Sequence, residues 1–365
     1  MTIEDLKQIQ FAFIVARGRS GTTLLRTMLN ANKHTISPFE SKVIVHVKQR
    51  YQDQQKWDKK VVLQFIEDIY EDVKFKSFWA IDKEFLTDRI LSFPLEQLNL
   101  NLLMKIVFLS FPTEFEKEKI MLLVDKNPPY AVFLDDLHSI FPEAKYIHLV
   151  RDYRDNIQSI KKTNPIKNIS VLAHGWLNDN LKIEKFKAKY PQKFHTLKYE
   201  DLVSDPVTGL KGICEHLGIT FQDEMISFQS KLRSEIDNNT NIQKEHKAFL
   251  KYHGNLSKPV NTESINKWKK YLSDDEVAQI EYICEEYGKK YGYLPTISHA
   301  KGSFLKSKLG YYRYEFNAFV MIFYYNLPFW FRHMIRTITR FLYSKFGYTT
   351  VYNRLDYSIV NEDKE

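Results

Sequence analysis

The stretch Phe11–Leu29, FAFIVARGRSGTTLLRTML, decides the expected fold of this chain. It opens with an apolar run over residues 11–15, which is the length of a strand buried on both faces. A turn rich in glycine, hydroxyl and guanidinium groups follows over residues 17–23, and apolar residues at helical spacing continue to the end of the stretch. A strand, a glycine-containing loop and a helix in this order direct backbone N–H groups and the positive end of a helix at one place, which suits a phosphate group.

The loop differs from the P-loop of nucleoside triphosphatases. That P-loop has a lysine directly before its final serine or threonine and a glycine at its first position. Here Thr22 stands in place of the lysine, Ala16 stands in place of the first glycine, and Arg19 is the cation further back in the loop. These differences disfavour a kinase or an ATPase and fit a nucleotide without a γ-phosphate. A tight strand-to-helix turn with incidental hydroxyl groups is the alternative that the loop alone leaves open.

Length and composition indicate an ordinary globular protein. The 365 residues exceed the usual ~100–200 of one domain, so either one large domain or a domain with an appendage is expected. Apolar residues make up 44% of the chain and charged residues 27%. The net charge of +8 suits an anionic nucleotide or an acidic acceptor as well as nucleic acid or a membrane. No nucleic-acid-binding fingerprint is present, so no nucleic-acid partner is expected.

The cysteines and the N-terminal residues bear on the expected compartment. Cys214 and Cys284 form no metal-binding motif and no disulfide framework, and the sequence predicts no metal site. The first ten residues, MTIEDLKQIQ, are not typical of a secretory signal. No stretch has the ~20 apolar residues of a membrane-spanning helix. We therefore expect a cytoplasmic protein.

Apolar runs and helical patterns alternate along the chain. This alternation favours an α/β fold of three layers, αβα, in which helices cover both faces of a parallel sheet. The loops at the carboxyl ends of such strands share one crevice, so the motifs that follow the strands are expected to converge. The predicted strands are residues 11–15, 119–124, 144–150 and 194–199, and the predicted helices include residues 41–50, 59–74, 83–91, 101–111, 155–162, 171–189, 205–217 and 273–291.

The last part of the chain changes character, which predicts a main domain over residues 1–298 and a C-terminal helical extension over residues 299–365. Residues 316–331 are aromatic and nearly uncharged, and residues 301–365 hold ten Lys and Arg against five Asp and Glu. A basic, aromatic, amphipathic segment can lie on a membrane surface, here through residues 316–346 at the inner face. A helical hairpin packed on the main domain, or on the partner in a homodimer, is the alternative.

A second anion signal follows the third predicted strand. Arg151 stands at the end of that strand, and Ser159 lies eight residues further on, just over two helical turns. A guanidinium group with a hydroxyl group commonly holds a terminal phosphate. By itself the pair is also compatible with a surface ion pair at the start of a helix, but beside the first loop it becomes a second phosphate clamp.

Two segments together resemble a known family. RSGTTLLRTMLNA at residues 19–31 and LVRDYRDNIQSI at residues 149–160 are similar to the two nucleotide-binding motifs of sulfotransferases that use 3′-phosphoadenosine 5′-phosphosulfate. The resemblance covers about residues 11–295. Within the family, the sequence is most similar to the protein-tyrosine sulfotransferases and their bacterial relatives. Further matching positions are Glu40 in FESKVI, Lys126 in DKNP, Trp176, residues 199–203 (YEDLV), residues 258–261 (KPVN) and Trp268.

The resemblance implies a P-loop-like α/β fold, a phosphosulfate nucleotide as co-substrate, no metal, and an acceptor hydroxyl group that attacks sulfur. Such chemistry needs a base for the hydroxyl proton and cations where charge develops on the leaving group. The implied base is Glu40, which would otherwise be an acid in the first turn of the helix from Ser41, stabilised by the helix dipole. The implied catalytic cations are Lys126 and Arg19.

The resemblance also implies which residues bind the nucleotide. By this resemblance the first loop binds the 5′-phosphosulfate, the second motif binds the 3′-phosphate, and Tyr199 lies near the nucleotide. Lys258 is expected to approach from a long polar loop, residues 235–263, to hold phosphate or close the site. The implied binding residues are Arg19, Ser20, Gly21, Thr22, Thr23, Leu24, Arg151, Ser159, Tyr199 and Lys258.

The sequence says least about the identity of the acceptor. A Ser-Pro-Phe run precedes Glu40 where the tyrosine-sulfating enzymes carry another acid, and Lys42 replaces an arginine that in them recognises acidic peptide. These departures weaken the expectation of a protein-tyrosine acceptor and leave donor use intact. The acceptor that we expect is a carbohydrate hydroxyl group, on a cell-surface glycan or its lipid-linked precursor, with a protein tyrosine as the alternative. Two other classes stay open: a small-molecule kinase with Asp125 as its magnesium-binding acid, and a non-catalytic module at a membrane surface.

Overall fold

The computed structural model describes residues 1–163, 168–237, 254–297 and 304–346. The chain forms two compact units. The expected boundary between residues 298 and 299 lies outside the described residues, and the division of the chain at that point stays a prediction. The first unit comprises residues 1–7, 39–112 and 317–365, and the second comprises residues 8–38 and 113–316.

The second unit is built on a parallel sheet of five strands in the order β2-β3-β1-β4-β5. The three-layer α/β fold predicted from the sequence is thereby confirmed. The opening apolar run forms the central strand, and Ala12 pairs with Val124 on one side and with Lys145 on the other. The strands are β1 Gln10–Val15, β2 Thr35–Ile36, β3 Leu122–Lys126, β4 Lys145–Val150 and β5 Phe194–Lys198.

Helices connect the strands, with loops and short 3₁₀ turns between them. They are α1 Ile3–Gln8, α2 Thr22–Asn30, α3 Val43–Tyr51, α4 Lys59–Ile69, α5 Val73–Phe78, α6 Lys83–Leu91, α7 Leu100–Leu109, α8 Leu134–Ile140, α9 Tyr153–Thr163, α10 Ile169–Lys189, α11 Tyr199–Ser204, α12 Pro206–Leu217, α13 Gln229–Asp237, α14 Trp268–Tyr271, α15 Asp274–Lys289, α16 Phe304–Asn326 and α17 Phe329–Phe346.

Alternate residues of β1 face opposite layers, as the two-residue period of a strand requires. Ala12 and Ile14 join the core cluster that includes residues of α2 and α12. Phe11 and Phe13 point the other way, where the Phe11 ring stacks on Phe141 after α8 at 4.2 Å between centroids. Burial on both faces explains why the strand is a continuous apolar run.

Two strands differ from the prediction. β3 begins at Leu122 rather than Lys119, because Lys117–Lys119 form a 3₁₀ turn before it. Lys126 is consequently the last residue of the strand, paired with Ile14, and does not follow the strand. The short strand β2 was not predicted, because its two residues lie in a polar stretch with no alternation to detect.

The first unit is helical over its described residues. The predicted helix over residues 59–74 is divided into α4 and α5, and the Asp72 carboxylate caps α5 by accepting from the Phe75 N–H at 2.8 Å. Trp79 is fully buried, and its indole N–H donates to the Phe39 carbonyl at 2.9 Å. Aromatic side chains therefore fill this core, and the indole hydrogen bond fixes the chain directly before Glu40.

The C-terminal residues that are described form α16 and α17. Arg332 of α17 is fully buried in the first unit, where its Nη2 donates to the His46 carbonyl at 2.9 Å. At least this part of the C-terminal segment packs on α3, as in the hairpin alternative. No helix within the four described ranges is both long and apolar enough to cross a bilayer.

Candidate active site

Side chains that follow β4 donate hydrogen bonds to the backbone of the loop between β1 and α2. Arg151, at the end of β4, donates through Nη1 to the Arg19 carbonyl at 2.8 Å. Asn156 of α9 donates through Nδ2 to the Gly18 carbonyl at 2.9 Å and to Ser20 Oγ at 3.0 Å. Because these carbonyls are bonded, the loop is fixed in one conformation.

The first turn of α2 is an uncapped helix N-terminus. Gly21 precedes the helix with a φ of 91°, and no side chain in the described part of the chain caps it. The first N–H groups of a helix have no partner inside the helix and carry its positive end, so they bind anions well. The N–H groups of Thr22, Thr23 and Leu24 lie at this terminus, where they would suit the anion predicted for this loop, and the anion site itself stays a prediction.

Lys126 brings a buried cation to this helix terminus. Its side chain is almost fully buried, and its Nζ donates to Thr23 Oγ1 at 3.1 Å. The strand order explains the contact, because β3 lies beside β1 and both end at the same edge of the sheet. Lys126 thus comes from the neighbouring strand, whereas a Walker lysine comes from within the loop.

A second cationic group consists of three predicted residues, Arg19, Arg151 and Ser159. Arg19 has a φ of 69°, and its Nε donates to Ser159 Oγ of α9 at 3.2 Å. Arg151 lies next to them through its hydrogen bond to the Arg19 carbonyl, and its buried Nε has no hydrogen-bond partner among the described residues. Arg19 was predicted at the 5′ end of the nucleotide, yet its guanidinium lies beside the hydroxyl predicted to hold the 3′-phosphate.

Tyr199 packs between the two groups. Its ring lies over the Arg151 guanidinium, 4.5 Å from carbon to ring centroid. It also covers Gly21 so closely that a Cβ there would be 2.3 Å from the Tyr199 Cδ2. Both the positive φ and this close approach explain the glycine in the loop.

Lys258 is exposed, and it follows the 3₁₀ turn Gly254–Ser257. Its carbonyl accepts from Gln229 Nε2 at 3.0 Å. Residues 238–253 of the predicted polar loop lie outside the described residues. The role predicted for Lys258 in holding phosphate or closing the site stays a prediction.

Glu40 belongs to the first unit and lies before α3, not in its first turn. The helix begins at Val43, because Ser41 Oγ accepts from the Val43 N–H at 3.1 Å and holds the chain outside the helix. Lys74 of α5 places its Nζ 3.4 Å from Glu40 Oε2. The expected helix-start position was wrong, and Lys74 is a neighbour that the sequence did not indicate.

Arg154 lies three residues after Arg151, but its positive charge is neutralised by neighbouring acids. It is buried, and its guanidinium forms ion pairs with Asp152 at 2.7 Å and Glu281 at 2.9 Å. Asp155 is buried as well and accepts from the backbone N–H groups of Asn266 and Trp268, while burial raises the pKa of its carboxyl. These side chains join α9 to the segment around α14.

Asp125, the acid that a kinase would use to bind magnesium, is occupied by its own neighbours. Its Oδ1 accepts from the Lys126 N–H at 2.7 Å and from Asn127 Nδ2 at 3.1 Å, and its Oδ2 accepts from the Tyr130 hydroxyl. Across the described ranges, no cluster of three or more His, Cys, Asp or Glu is placed to hold a metal ion. The arrangement gives the kinase alternative no support.

Arg17, Asp179 and Tyr314 form a series of hydrogen bonds beside the loop that was not predicted from the sequence. Arg17 donates through Nη1 to Asp179 Oδ2 at 2.8 Å, and Asp179 also accepts from the hydroxyl of Tyr314 in α16. Burial raises the pKa of the Tyr314 hydroxyl, with the Asp179 charge acting in the same direction, so the phenol stays protonated and donates. These hydrogen bonds join the first residues after β1 to α10 and to α16.

One signal in the sequence could have pointed to this chain of contacts. Gly175 lies inside a strongly predicted helix, where glycine costs about 1 kcal/mol relative to alanine. A Cβ at this position would be 2.5 Å from Arg17 Nη2, so the glycine makes room for the guanidinium. Nothing in the sequence indicated Tyr314, which lies 135 residues from Asp179.

Comparison with known proteins gives one family. A family model described as "Sulfotransferase family" matches residues 12–223. The omega-hydroxy-beta-dihydromenaquinone-9 sulfotransferase of Mycobacterium bovis is 28% identical over 157 residues, which cover 38% of this chain and 40% of that protein. This chain therefore matches only about two fifths of the length of that relative. Protein-tyrosine sulfotransferase 2 of Gallus gallus is 22% identical over 284 residues, 76% of this chain and 68% of that protein.

Solved structures support the fold. The sulfotransferase domain from the Synechococcus PCC 7002 olefin synthase superposes with a TM-score of 0.54 and 21% identity, covering 78% of this chain and 94% of that domain. At this identity the likeness concerns the fold alone. The matched family region contains the loop, Lys126, Arg151, Ser159 and Tyr199, and it ends before Lys258.

We predict that Tyr314→Phe weakens binding of 3′-phosphoadenosine 5′-phosphate by about five- to tenfold. The change keeps the ring and removes only the hydrogen bond to Asp179, and hydrogen bonds to charged groups contribute about 1.5–3 kcal/mol. Without it the Arg17–Asp179 pair is held less firmly, and the loop loses one of its supports beside those from Arg151 and Asn156. Isothermal titration calorimetry measures the affinity.

The matched control for this change is Tyr312→Phe, two residues earlier on the same helix and 58% exposed. It should leave the affinity unchanged. Equal affinities for both variants and the unmodified protein, at unchanged melting temperature, would show that Tyr314 has no positioning role.

Proposed function

The chain belongs to the sulfotransferase family, and on that basis we propose that it transfers a sulfuryl group from 3′-phosphoadenosine 5′-phosphosulfate to a hydroxyl group of a carbohydrate. The observation that carries the donor proposal is the pair of cationic groups at one edge of the sheet. One group is Lys126 with the N-terminus of α2, and the other is Arg19, Arg151 and Ser159.

The two groups fit the two anionic ends of this donor. Loop N–H groups and Lys126 would hold the 5′-phosphosulfate, because a helix N-terminus with a buried cation favours concentrated negative charge. Arg151 and Ser159 would hold the 3′-phosphate, and the buried Nε of Arg151 is a donor without a partner among the described residues. ATP has no 3′-phosphate, so it would leave the second group unused.

The chemistry assigns tasks to Glu40 and Lys126, whereas Arg19, the third predicted catalytic residue, lies beside Ser159 in the other cationic group. The acceptor oxygen forms a bond to sulfur while the bond from sulfur to the bridging phosphate oxygen breaks. Negative charge then develops on that leaving oxygen, and Lys126 with the α2 N-terminus would stabilise it. Glu40 would take the proton of the acceptor hydroxyl as general base. The products are a sulfate ester and 3′-phosphoadenosine 5′-phosphate.

The acceptor proposal is supported by the surroundings of Glu40 in the first unit. Lys42, which replaces an arginine of the tyrosine-sulfating enzymes, places its ammonium group over the Tyr325 ring at 5.3 Å. A cation held against an aromatic ring of its own chain is less available to an acidic peptide. The names of the two relatives describe a menaquinone derivative and protein tyrosine as acceptors. A protein tyrosine remains the alternative acceptor for this chain.

We predict that the full chain binds 3′-phosphoadenosine 5′-phosphate at least about tenfold more tightly than adenosine 5′-phosphate, because only the former engages Arg151. In Arg151→Met this preference should fall to nearly equal affinity, whereas the exposed control Arg233→Met should keep it. Calorimetry with both nucleotides and with magnesium–ATP measures the effect. Tighter, magnesium-dependent binding of ATP would contradict the proposed donor.

We predict that Glu40→Gln lowers turnover by about a hundredfold or more, the usual contribution of a general base, with nucleotide affinity almost unchanged. Lys126→Met should lower turnover to a similar extent, because one charge-stabilising donor contributes about 10²–10³ in rate. The control Glu67→Gln changes an exposed acid of the same unit and should leave turnover unchanged.

Transfer from a sulfur-35-labelled donor to separate oligosaccharide, tyrosine-peptide and lipid-alcohol acceptors measures this turnover and tests the acceptor. Labelling of the oligosaccharides alone supports the carbohydrate proposal. Labelling confined to the peptide or to the lipid would overturn it while leaving the donor proposal intact. Full turnover in both the Glu40 and the Lys126 variants would show that the site assignment is wrong.

A further inference from the structure

Helix α16 presents an exposed apolar face that the sulfotransferase chemistry does not use. Leu305, Leu309, Tyr312 and Phe316 follow one another at intervals of four, three and four residues, so they lie along one side of the helix. Their exposed fractions are 72%, 71%, 58% and 60%. At a rise of ~1.5 Å per residue this apolar stripe is about 17 Å long. The stripe is the largest run of exposed apolar side chains on this unit's described helices.

The opposite side of the same helix is firmly attached to α10. Ser170 Oγ donates to the Lys306 carbonyl at 3.0 Å, and His174 Nε2 lies 3.1 Å from Ser307 Oγ. A Cβ on Gly310 would be 2.2 Å from Ser170 Oγ, so only glycine allows this approach. With the Tyr314 hydroxyl bonded to Asp179, these contacts fix the rotation of the helix. The apolar stripe is therefore held outward by the fold.

The charges around the stripe are positive. Lys306, Lys308 and Arg313 are exposed on the same segment. Its one acid, Glu315, forms an ion pair with Lys182 of α10 at 3.3 Å. Exposed leucine and aromatic side chains flanked by cations are typical of helices that lie in the interface of an anionic membrane.

We propose that the stripe on α16, residues 305–316, docks the protein on the surface of an anionic lipid bilayer. The apolar side chains enter the headgroup region, and the flanking lysines and arginine contact lipid phosphates. The helix continues to Asn326, where Phe319 and Phe323 repeat the spacing with exposed fractions of 62% and 54%. The sequence analysis expected a membrane contact at residues 316–346, whereas the proposed stripe lies earlier, at residues 305–316.

A second copy of the chain is the less favourable occupant. A two-fold symmetric contact brings the same patch of both copies together. The lysines and arginine around the stripe would then face their own counterparts, and like charges in an interface cost free energy. An anionic bilayer complements these charges. The docking proposal does not depend on which acceptor the enzyme uses.

The test is sedimentation of the full chain with vesicles of phosphatidylglycerol and phosphatidylcholine, and with vesicles of phosphatidylcholine alone. We expect binding to the anionic vesicles that weakens at high salt. Leu309→Ser with Phe316→Ser should lower the binding by at least about tenfold. The matched control, Leu63→Ser with Phe85→Ser, removes the same two exposed side-chain types from α4 and α6 and should bind as the unmodified chain does.

A second pair of double variants measures how much the positive charges contribute to vesicle binding. Lys306→Gln with Lys308→Gln should lower binding to anionic vesicles by about tenfold, and Lys59→Gln with Lys60→Gln should not. Calorimetry with 3′-phosphoadenosine 5′-phosphate shows that every variant is folded, because the stripe is not part of the nucleotide site.

Equal vesicle binding by the stripe variant and its control, or no binding by the unmodified chain, would overturn the docking proposal. A dimer in analytical ultracentrifugation that the stripe variant alone converts to a monomer, without vesicle binding, would overturn it in favour of a second copy.

Discussion

The hydrogen bonds that Arg151 and Asn156 donate to the carbonyls of Arg19 and Gly18 are the constraint on which the site depends. They bond the carbonyl side of a short loop, so the helix N-terminus that follows is held ready for an anion without a ligand to organise it. Both donors come from the segment after β4, the strand next to β1 in the sheet. Because β1 lies between β3 and β4, the motifs at the ends of these strands lie at one edge of the sheet. Lys126, from the other neighbouring strand, supplies a buried charge there.

Much of this could be predicted from the sequence, because a buried parallel strand leaves a continuous apolar run and each run here is followed by polar motifs. The fold class and the convergence of Arg19, Lys126, Arg151 and Ser159 follow from that pattern. Contacts between distant helices leave no such pattern. The Arg17–Asp179–Tyr314 chain depends on tertiary packing, and only the glycine at position 175 hinted at it. The position of Glu40 before α3 was missed because a serine turn delays the helix.

The helix α16 has two faces with different tasks. One face reaches the loop through Tyr314 and Asp179, and the other presents leucine and aromatic side chains outward among cations. The same helix therefore contacts Asp179, the partner of Arg17 in the loop, and carries the stripe that we propose docks on a bilayer.

The most direct measurement of the central claim is a crystal structure of the full chain with 3′-phosphoadenosine 5′-phosphate. We expect the 5′-phosphate on the N–H groups of Thr22, Thr23 and Leu24, beside the Lys126 ammonium group. We expect the 3′-phosphate against Arg151 and Ser159, with Arg151 Nε among its donors. A nucleotide bound elsewhere, or with its two phosphates exchanged between these groups, would contradict the account.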